Sequence, residues 1–360
     1  KKVVSARTLW VKLLQNRMET GEPYLMFEDA VNQDLPEFQK KKGLYVNHSN
    51  LCSEITLATN EERTAVCCLS SVNLEYYDEW SKIPAFIPDL VRMLDNVLQY
   101  FIDNAPEQME RAKYSAMRER SIGLGAMGYH AYLQKNQIPF ESLGASAANY
   151  TMFKHIKEDA LHETRRLAVE LGACPDDDTC EVRNAHLLAI APNASSSIIC
   201  GNTSPSIEPF RANAYTQKTK SGSFLQKNKY LEQLLEDKDA NTEAVWRDIV
   251  SNKGSVQHLE LLSDDEKEVF KTAVEINQSW IVEHAAQRQE FVCQSQSVNL
   301  FFPPDVTKGD LHNVHMLAWA KNLKTLYYLR SEAISRADNV SNQVKREIIF
   351  EQEDCLACEG

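Results

Sequence analysis

Ala6, Leu9, Trp10, Leu13 and Leu14 recur at helical spacing, which predicts an amphipathic helix over 4–18, ended by Thr20-Gly21-Glu22-Pro23. Tyr24 to Phe27 is a short apolar run that fits a buried strand, and the polar stretch after it holds a Lys40-Lys41-Lys42-Gly43 turn. Further along, 65–74 reads as a strand, 87–102 as a helix with an apolar stripe, and 121–128 as a strand turning into a helix. A long helix is predicted over 145–171 and a strand over 185–190. The charged, weakly periodic 217–263 section suits helices and loops on an outer surface. A second long helix is predicted over 264–290, a shorter one over 310–322 and a strand over 324–329. From Arg330 onward the chain is polar and irregular, as a flexible tail would be. Strands alternating with helices predict an α/β barrel, here about half of one.

Composition narrows the class. The 360 residues are 43% hydrophobic and 25% charged, ordinary for a globular protein with a sizeable core. A net charge of -12 without a long basic run argues against nucleic acid or an anionic membrane as partner. No apolar stretch reaches membrane-span length and no signal peptide opens the chain, so a cytoplasmic protein is expected. Nine cysteines then read as reduced thiols, some of them catalytic, rather than a disulfide framework.

Chemistry concentrates in Ser49-Asn50-Leu51-Cys52-Ser53-Glu54, with Cys67-Cys68 a short way on. In an extended segment Asn50, Cys52 and Glu54 share a face, which groups an amide, a thiol and a carboxylate. Ligand pairs at zinc spacing do not accompany Cys52, so redox or radical work fits better than metal binding. On spacing alone Cys52 reads sooner as a small buried hydrophobe in a strand, and Glu54 sooner as a surface carboxylate. Gly123, Gly125 and Gly128 form a G-x-G-x-x-G string, but no acidic residue at the right distance supports a dinucleotide site. Tight helix–barrel packing explains these glycines better. Cys355-Leu-Ala-Cys358 in the polar tail reads as a redox dithiol or half a zinc site.

The Ser49–Glu54 string resembles the finger loop of ribonucleotide reductase large subunits. Further landmarks resemble the same family in the same order: Arg120 to Gly128, Ala191 to Ser197 with Asn202 to Pro209, Gln294 to Leu300, His315 to Trp319, and Leu323 to Arg330. The resemblance runs from about Ser5 to Gly360. It implies the second half of a ten-stranded α/β barrel with a central finger loop, over 1–330, and a redox-shuttle tail over 331–360.

The resemblance also implies roles. Cys52 would carry a transient thiyl radical that abstracts the 3′-hydrogen of a ribonucleoside diphosphate. Glu54 would accept the 3′-hydroxyl proton, and Asn50 would hold the ribose hydroxyls. Cys67 would supply reducing electrons by pairing with a cysteine outside this chain, while Cys68 packs. Ser49, Leu51 and Ser53 would line the substrate beside them. Pro192, Asn193, Ala194, Ser195 and Ser196 would bind the diphosphate at a helix start, where a simple Ser cap is the plain alternative. Tyr327 and Tyr328, otherwise two core aromatics, would relay the oxidising equivalent from a radical-generating, metal-containing small subunit. Cys355 and Cys358 would pass electrons from thioredoxin or glutaredoxin. No metal or bound cofactor is expected in the chain itself, and Cys174, Cys180, Cys200 and Cys293 receive no role. The adjacent tyrosines imply a class I enzyme.

The chain opens on Lys1 and its landmarks match mid-protein positions of the family, so a C-terminal portion is expected, whether truncated or half of a split enzyme. Activity would then need the N-terminal portion of the large subunit as well as the small subunit, and this chain alone would be inactive. Two rivals remain: a non-catalytic remnant that docks the small subunit, and a Rossmann-type oxidoreductase.

Overall fold

A computed structural model describes residues 3–219 and 222–331. Eight short strands are assigned among them: β1 Leu25–Met26, β2 Leu69–Asn73, β3 Gly123–Met127, β4 Ala214–Thr219, β5 Gly222–Lys227, β6 Leu300–Phe302, β7 Thr325–Leu326 and β8 Leu329–Ser331. β2 pairs in parallel with β3, and β6 in parallel with β8. Between those pairs, single parallel bridges join Leu124 to Leu188 and Ile190 to Gln296. Backbone hydrogen bonds complete the line: Leu124 N donates to Leu187 O, Ile190 N to Ser295 O, and Leu300 N to Tyr328 O.

Five parallel segments therefore run side by side in the order β2, β3, 187–190, 294–302 and 325–331. Parallel neighbours require crossovers, and helices supply them. The helices Phe86–Asn104 and Glu110–Glu119 lie between the first two segments, Leu143–Leu171 before the third, Gln278–Gln289 before the fourth and Lys308–Ala320 before the fifth. This is the anatomy of half an α/β barrel, and no closed barrel forms among the described residues. The main core lies between the segments and their helices, around Leu124, Ala126, Leu188, Val298 and Leu300.

Close packing, not nucleotide binding, accounts for the glycine string. A Cβ on Gly125 would lie 2.5 Å from Ala189 O, and one on Gly123 would lie 2.2 Å from a Leu69 methyl. Gly128 adopts φ 80 beside the Asn73 side chain, a conformation that disfavours other residues.

Several elements depart from the sequence expectation. The strand expected over 65–74 begins at Leu69, so Cys67 and Cys68 precede it. The strand expected over 185–190 makes only single bridges. The helix expected over 264–290 divides into Asp264–Val269 and Gln278–Gln289, because Glu275 accepts from Thr272 N and Asn277 caps the second piece. The strand expected over 324–329 also divides: β7 pairs antiparallel with β1 and β8 follows β6, with the tyrosine pair at the switch. The 217–263 section holds much of an unforeseen antiparallel hairpin, β4–β5, and a second core around Trp246, Leu231 and Ile249. The opening helix runs Ala6–Thr20, two residues later than predicted. None of the helices in the described residues is long and apolar enough to cross a membrane.

Candidate active site

Asn50 to Glu54 is a tight turn, not the extended segment the spacing suggested. Asn50 N donates to Ile55 O, Ile55 N donates to Asn50 Oδ1 at 3.0 Å, and Ser53 N donates to Asn50 O. Ser53, buried at φ 70, supplies the left-handed step. Glu54 O then accepts from Ser295 N, which ties the turn to the 294–302 segment. Closure of the turn, instead of strand alternation, brings Asn50, Cys52 and Glu54 together.

Glu54 is buried and not a surface carboxylate. Burial pushes its carboxyl above the usual range, against hydrogen bonds from Asn50 and Ser297 that favour the ionised form. Ser297 Oγ donates to Cys52 O at 2.5 Å and lies 3.3 Å from Glu54 Oε2. One hydroxyl thus touches both sides of the turn.

Cys52 is half-buried, and its sulfur shares a hydrogen bond with the Tyr327 hydroxyl. Burial is the main cause holding that phenol protonated, with Cys52 and Tyr328 adding to it. The Tyr327 and Tyr328 ring centroids are 4.4 Å apart. A third ring completes the cluster: Tyr24 lies 4.5 Å from Tyr327 and 4.9 Å from Tyr328, and its hydroxyl is hydrogen-bonded within the pair. The antiparallel register Leu25↔Leu326 places Tyr24 opposite Tyr327. Tyr327 is buried, whereas Tyr328 is partly exposed under the Arg330 guanidinium at 4.3 Å.

The backbone of the pair is held as firmly as its rings. Arg17 Nη2 donates to Tyr327 O at 3.0 Å, and Arg17 Nε donates to His315 Nε2 at 3.1 Å. Asn299 Oδ1 accepts from Tyr328 N, while Asn299 Nδ2 donates to the buried Glu208 at 2.6 Å. Sequence reasoning missed Tyr24, Arg17, Ser297, Asn299 and Glu208. Ser297 and Asn299 sat inside the Gln294–Leu300 motif without a role, and a buried arginine such as Arg17 has no local signature.

Cys67 is exposed where the chain enters β2. Cys68 points the other way: it is buried, its Sγ donates to Leu94 O at 3.6 Å, and burial pushes its thiol up to about 11. The short helix Ala194–Ile199 is capped by Asn193 at φ 50, with no side-chain cap bond, so a Ser cap is not what the serines provide. Asn193 instead stitches the segments, accepting from Ser71 Oγ and donating to Ala126 O and Ala191 O. Ala194 and Ser195 are exposed, Pro192 and Ser196 half-buried, while Ser197 is buried and donates to Ala194 O. Around the turn, Ser49 is half-buried and donates to Asn50 O, whereas Leu51 is 66% exposed. Cys355 and Cys358 lie outside the described residues. Within the described part, no group of three or more His, Cys, Asp and Glu could hold a metal ion.

The ribonucleotide reductase barrel-domain family model matches residues 1–179 and 178–329. This chain belongs to the ribonucleotide reductase family. It is 48% identical to the ribonucleoside-diphosphate reductase large subunit of Invertebrate iridescent virus 3, over 100% of this chain and 58% of that protein. It is 32% identical to the large subunit of Danio rerio, over 92% of this chain and 46% of that one. The solved alpha subunit of the Actinobacillus ureae class Id ribonucleotide reductase superposes with a TM-score of 0.86 at 42% identity, over 91% of this chain and 62% of that one. The chain thus spans about half to three fifths of the length of these reductases, in their C-terminal portion.

Proposed function

We propose that this chain carries the radical-bearing half of a class I ribonucleoside-diphosphate reductase active site, completed by the N-terminal portion of the large subunit and by a radical-generating small subunit. The observation that carries this reading is the Tyr327 hydroxyl bonded to Cys52, with the Tyr328 ring in tilted contact behind it. An oxidising equivalent arriving from the small subunit passes through Tyr328 to Tyr327. The hydrogen atom of the Cys52 thiol then moves to the Tyr327 oxygen, leaving a phenol and a thiyl radical. A shared hydrogen bond suits that step, because proton and electron leave the same S–H bond together.

The Cys52 radical abstracts the 3′-hydrogen of a ribonucleoside diphosphate. Glu54, ionised, takes the 3′-hydroxyl proton as water leaves C2′. Its raised proton affinity fits a base that must accept a proton near neutral pH. Asn50 Nδ2 serves Glu54 while its Oδ1 is engaged by Ile55 N, so ribose contact falls to the amide edge facing the carboxylate. Ser49, Leu51 and Ser53 shape the turn beside the sugar. Residues 192–196 take the diphosphate through the main-chain N–H groups of the Ala194 helix start and the exposed Ser195. Cys67 and a cysteine of the N-terminal portion supply two electrons by forming a disulfide. Cys355 and Cys358 then reduce that disulfide and are themselves restored by thioredoxin or glutaredoxin.

The test is cytidine diphosphate reduction with small subunit and dithiol, with and without the N-terminal portion. Turnover only in the complete mixture, lost on Cys52→Ser, is the expected result. No turnover from folded components in either mixture would instead make the chain a docking remnant.

A further inference from the structure

Away from the turn and the tyrosines, a second sulfur sits in a built environment. Cys293 begins the segment that runs to β6, and its Sγ accepts from Leu187 N at 3.1 Å and Leu188 N at 3.3 Å. His186 is 1% exposed, and its buried Nδ1 has no hydrogen-bond partner, while the ring acts electrostatically on this sulfur. The tautomer is set from behind. Gln39 Nε2 donates to Glu119 Oε2 at 3.2 Å, which orients the Gln39 amide so that its Oε1 accepts from His186 Nε2 at 3.1 Å. With Nε2 bonded to Gln39, Nδ1 is the edge left to take the proton that the Cys293 thiol gives up. Lys324 closes the other side, donating to Cys293 O at 2.6 Å and Gln294 O at 2.8 Å while paired with Asp34.

We propose that Cys293 is a modification site: an anionic sulfur, held by His186 and two backbone N–H groups, that reacts with small electrophiles such as hydrogen peroxide. The sulfur attacks one peroxide oxygen, the S–O bond forms as the O–O bond breaks, and sulfenic acid and hydroxide result. Sulfur is oxidised by two electrons and the peroxide reduced by two. The hydroxide takes the His186 proton and leaves as water. Cys293 is partly exposed, as such a reaction needs.

Charge supports the same assignment. Burial alone would push the thiol up, but Lys157, His186 and the backbone N–H groups outweigh it and hold the sulfur down at about 5. Lys324 and Glu119 also face this cluster, with Asp34 beyond Lys324. The site bears on the active centre through two strands. Cys293 lies two residues before Ser295, which binds Glu54 O, and four before Ser297; Lys324 lies three before Tyr327. Ser295 Oγ and Thr325 Oγ1 lock those strands together at 2.6 Å. An added oxygen at Cys293 presses on the Lys324 clamp and detunes the strand that presents Tyr327. This inference stands whether or not the chain takes part in nucleotide reduction.

The test is site-resolved alkylation of the full 360-residue chain with iodoacetamide between pH 5.5 and 9, read by mass spectrometry. Absolute rate at neutral pH discriminates poorly, since a low-pKa thiolate is intrinsically less nucleophilic. The pH profile discriminates well. Cys293 is expected to react at a nearly constant rate from pH 6 to 9, whereas free cysteine, run alongside, gains about tenfold per unit up to its midpoint of ~8.5. At pH 6 the balance of ionised fraction and nucleophilicity favours Cys293 by roughly five- to tenfold. Peroxide followed by a sulfenic-acid probe should label Cys293 first at that pH. His186→Gln should move that midpoint upward, so that the Cys293 rate rises with pH within the range. Should that variant fail to fold, Cys293→Asp against Cys293→Ala is the second measurement, with Asp keeping native thermal stability and Ala losing it. A Cys293 profile that parallels free cysteine, or no native labelling of Cys293 at pH 6, overturns the proposal.

Discussion

Replacing Ser297 by Ala removes the one hydroxyl that contacts both Cys52 O, at 2.5 Å, and Glu54 Oε2, at 3.3 Å. The bond to the carboxylate favours its ionised form, so its loss raises the Glu54 proton affinity beyond what burial already does. A hydrogen bond to a charged group contributes roughly 1.5–3 kcal/mol. At 3.3 Å the lower figure applies, about a tenfold change in an equilibrium constant. A base works in its ionised form, so a higher pKa moves the acid limb of the rate profile to higher pH. In the assembled reductase, kcat/KM for cytidine diphosphate is therefore expected to fall about tenfold below the limb and far less on the alkaline plateau. The Cys52 carbonyl can turn to water at the half-exposed turn, so folding stability should drop by only about 1 kcal/mol. Ser297→Thr, which keeps the hydroxyl, is the control. An acid limb that stays put while activity falls equally at every pH would refute the electrostatic argument and leave Ser297 a support for the turn alone.

Tyr24→Phe keeps the ring contacts and loses the hydroxyl bonded within the tyrosine pair. Turnover should fall about fivefold, the worth of one neutral hydrogen bond, with thermal stability nearly unchanged; full turnover would show that the hydroxyl plays no part in the relay. Gly125→Ala drives a methyl against Ala189 O, which cannot yield, and should lower stability in urea by about 1–3 kcal/mol. Gly309→Ala in the open first turn of the Lys308–Ala320 helix should be neutral or stabilising, and a similar loss at both sites would sink the packing account. Asp176 is buried between Arg63 at 2.6 Å and Arg118 at 2.8 Å; burial would raise its carboxyl, but the two guanidiniums hold it below the usual range. Its contribution is present above an unfolded value of about 4 and is lost as pH falls through the folded one. Asp176→Asn should cost roughly 3 kcal/mol at pH 7, with the two denaturation curves drawing together as pH falls below about 4; curves that stay parallel to about pH 2 would contradict it.

Helices with a clear stripe were legible to within two residues, because their periodicity is a local property. Phe86–Asn104 buries Ile87, Val91, Leu94 and Leu98 on one face, and the Leu143–Leu171 helix was nearly as plain. Strands were less legible for a physical reason. Here they are two to six residues long, and their ends are fixed by which neighbour pairs, not by their own apolar content. Lys324 to Leu329 reads as one apolar run, yet it changes partners in its middle from β1 to β6. The helix expected over 264–290 failed through polar competition, since Glu275 and Asn277 bind backbone N–H groups that a continuous helix would need. The hairpin β4–β5 was missed because its residues are mostly polar, and charge patterning resembled a solvated surface.

At the candidate site, the residues proposed to bear chemistry were legible and those that aim them were not. Cys52, Glu54 and the tyrosine pair belong to strings whose residue types are unusual enough to resemble a family. Tyr24 lies some 300 positions before its partners, in a run that reads only as a short strand. What brings it to them is the register of two two-residue strands, Leu25↔Leu326 and Met26↔Thr325. A slip of one residue would reverse which face each side chain takes and turn the Tyr24 ring from the pair. The same pairing hands Phe27 N to Lys324 O, so the strand that carries the tyrosines is clamped at Lys324 from both sides, by β1 and by the 292–294 carbonyls. Pairing of that kind has no trace in composition or periodicity, because it depends on two segments meeting and on neither alone. It follows that substitutions at Leu25 or Thr325, remote from the Asn50–Glu54 turn in sequence, should disturb the Tyr327–Cys52 hydrogen bond more than substitutions at the exposed Leu51, although Leu51 adjoins Cys52.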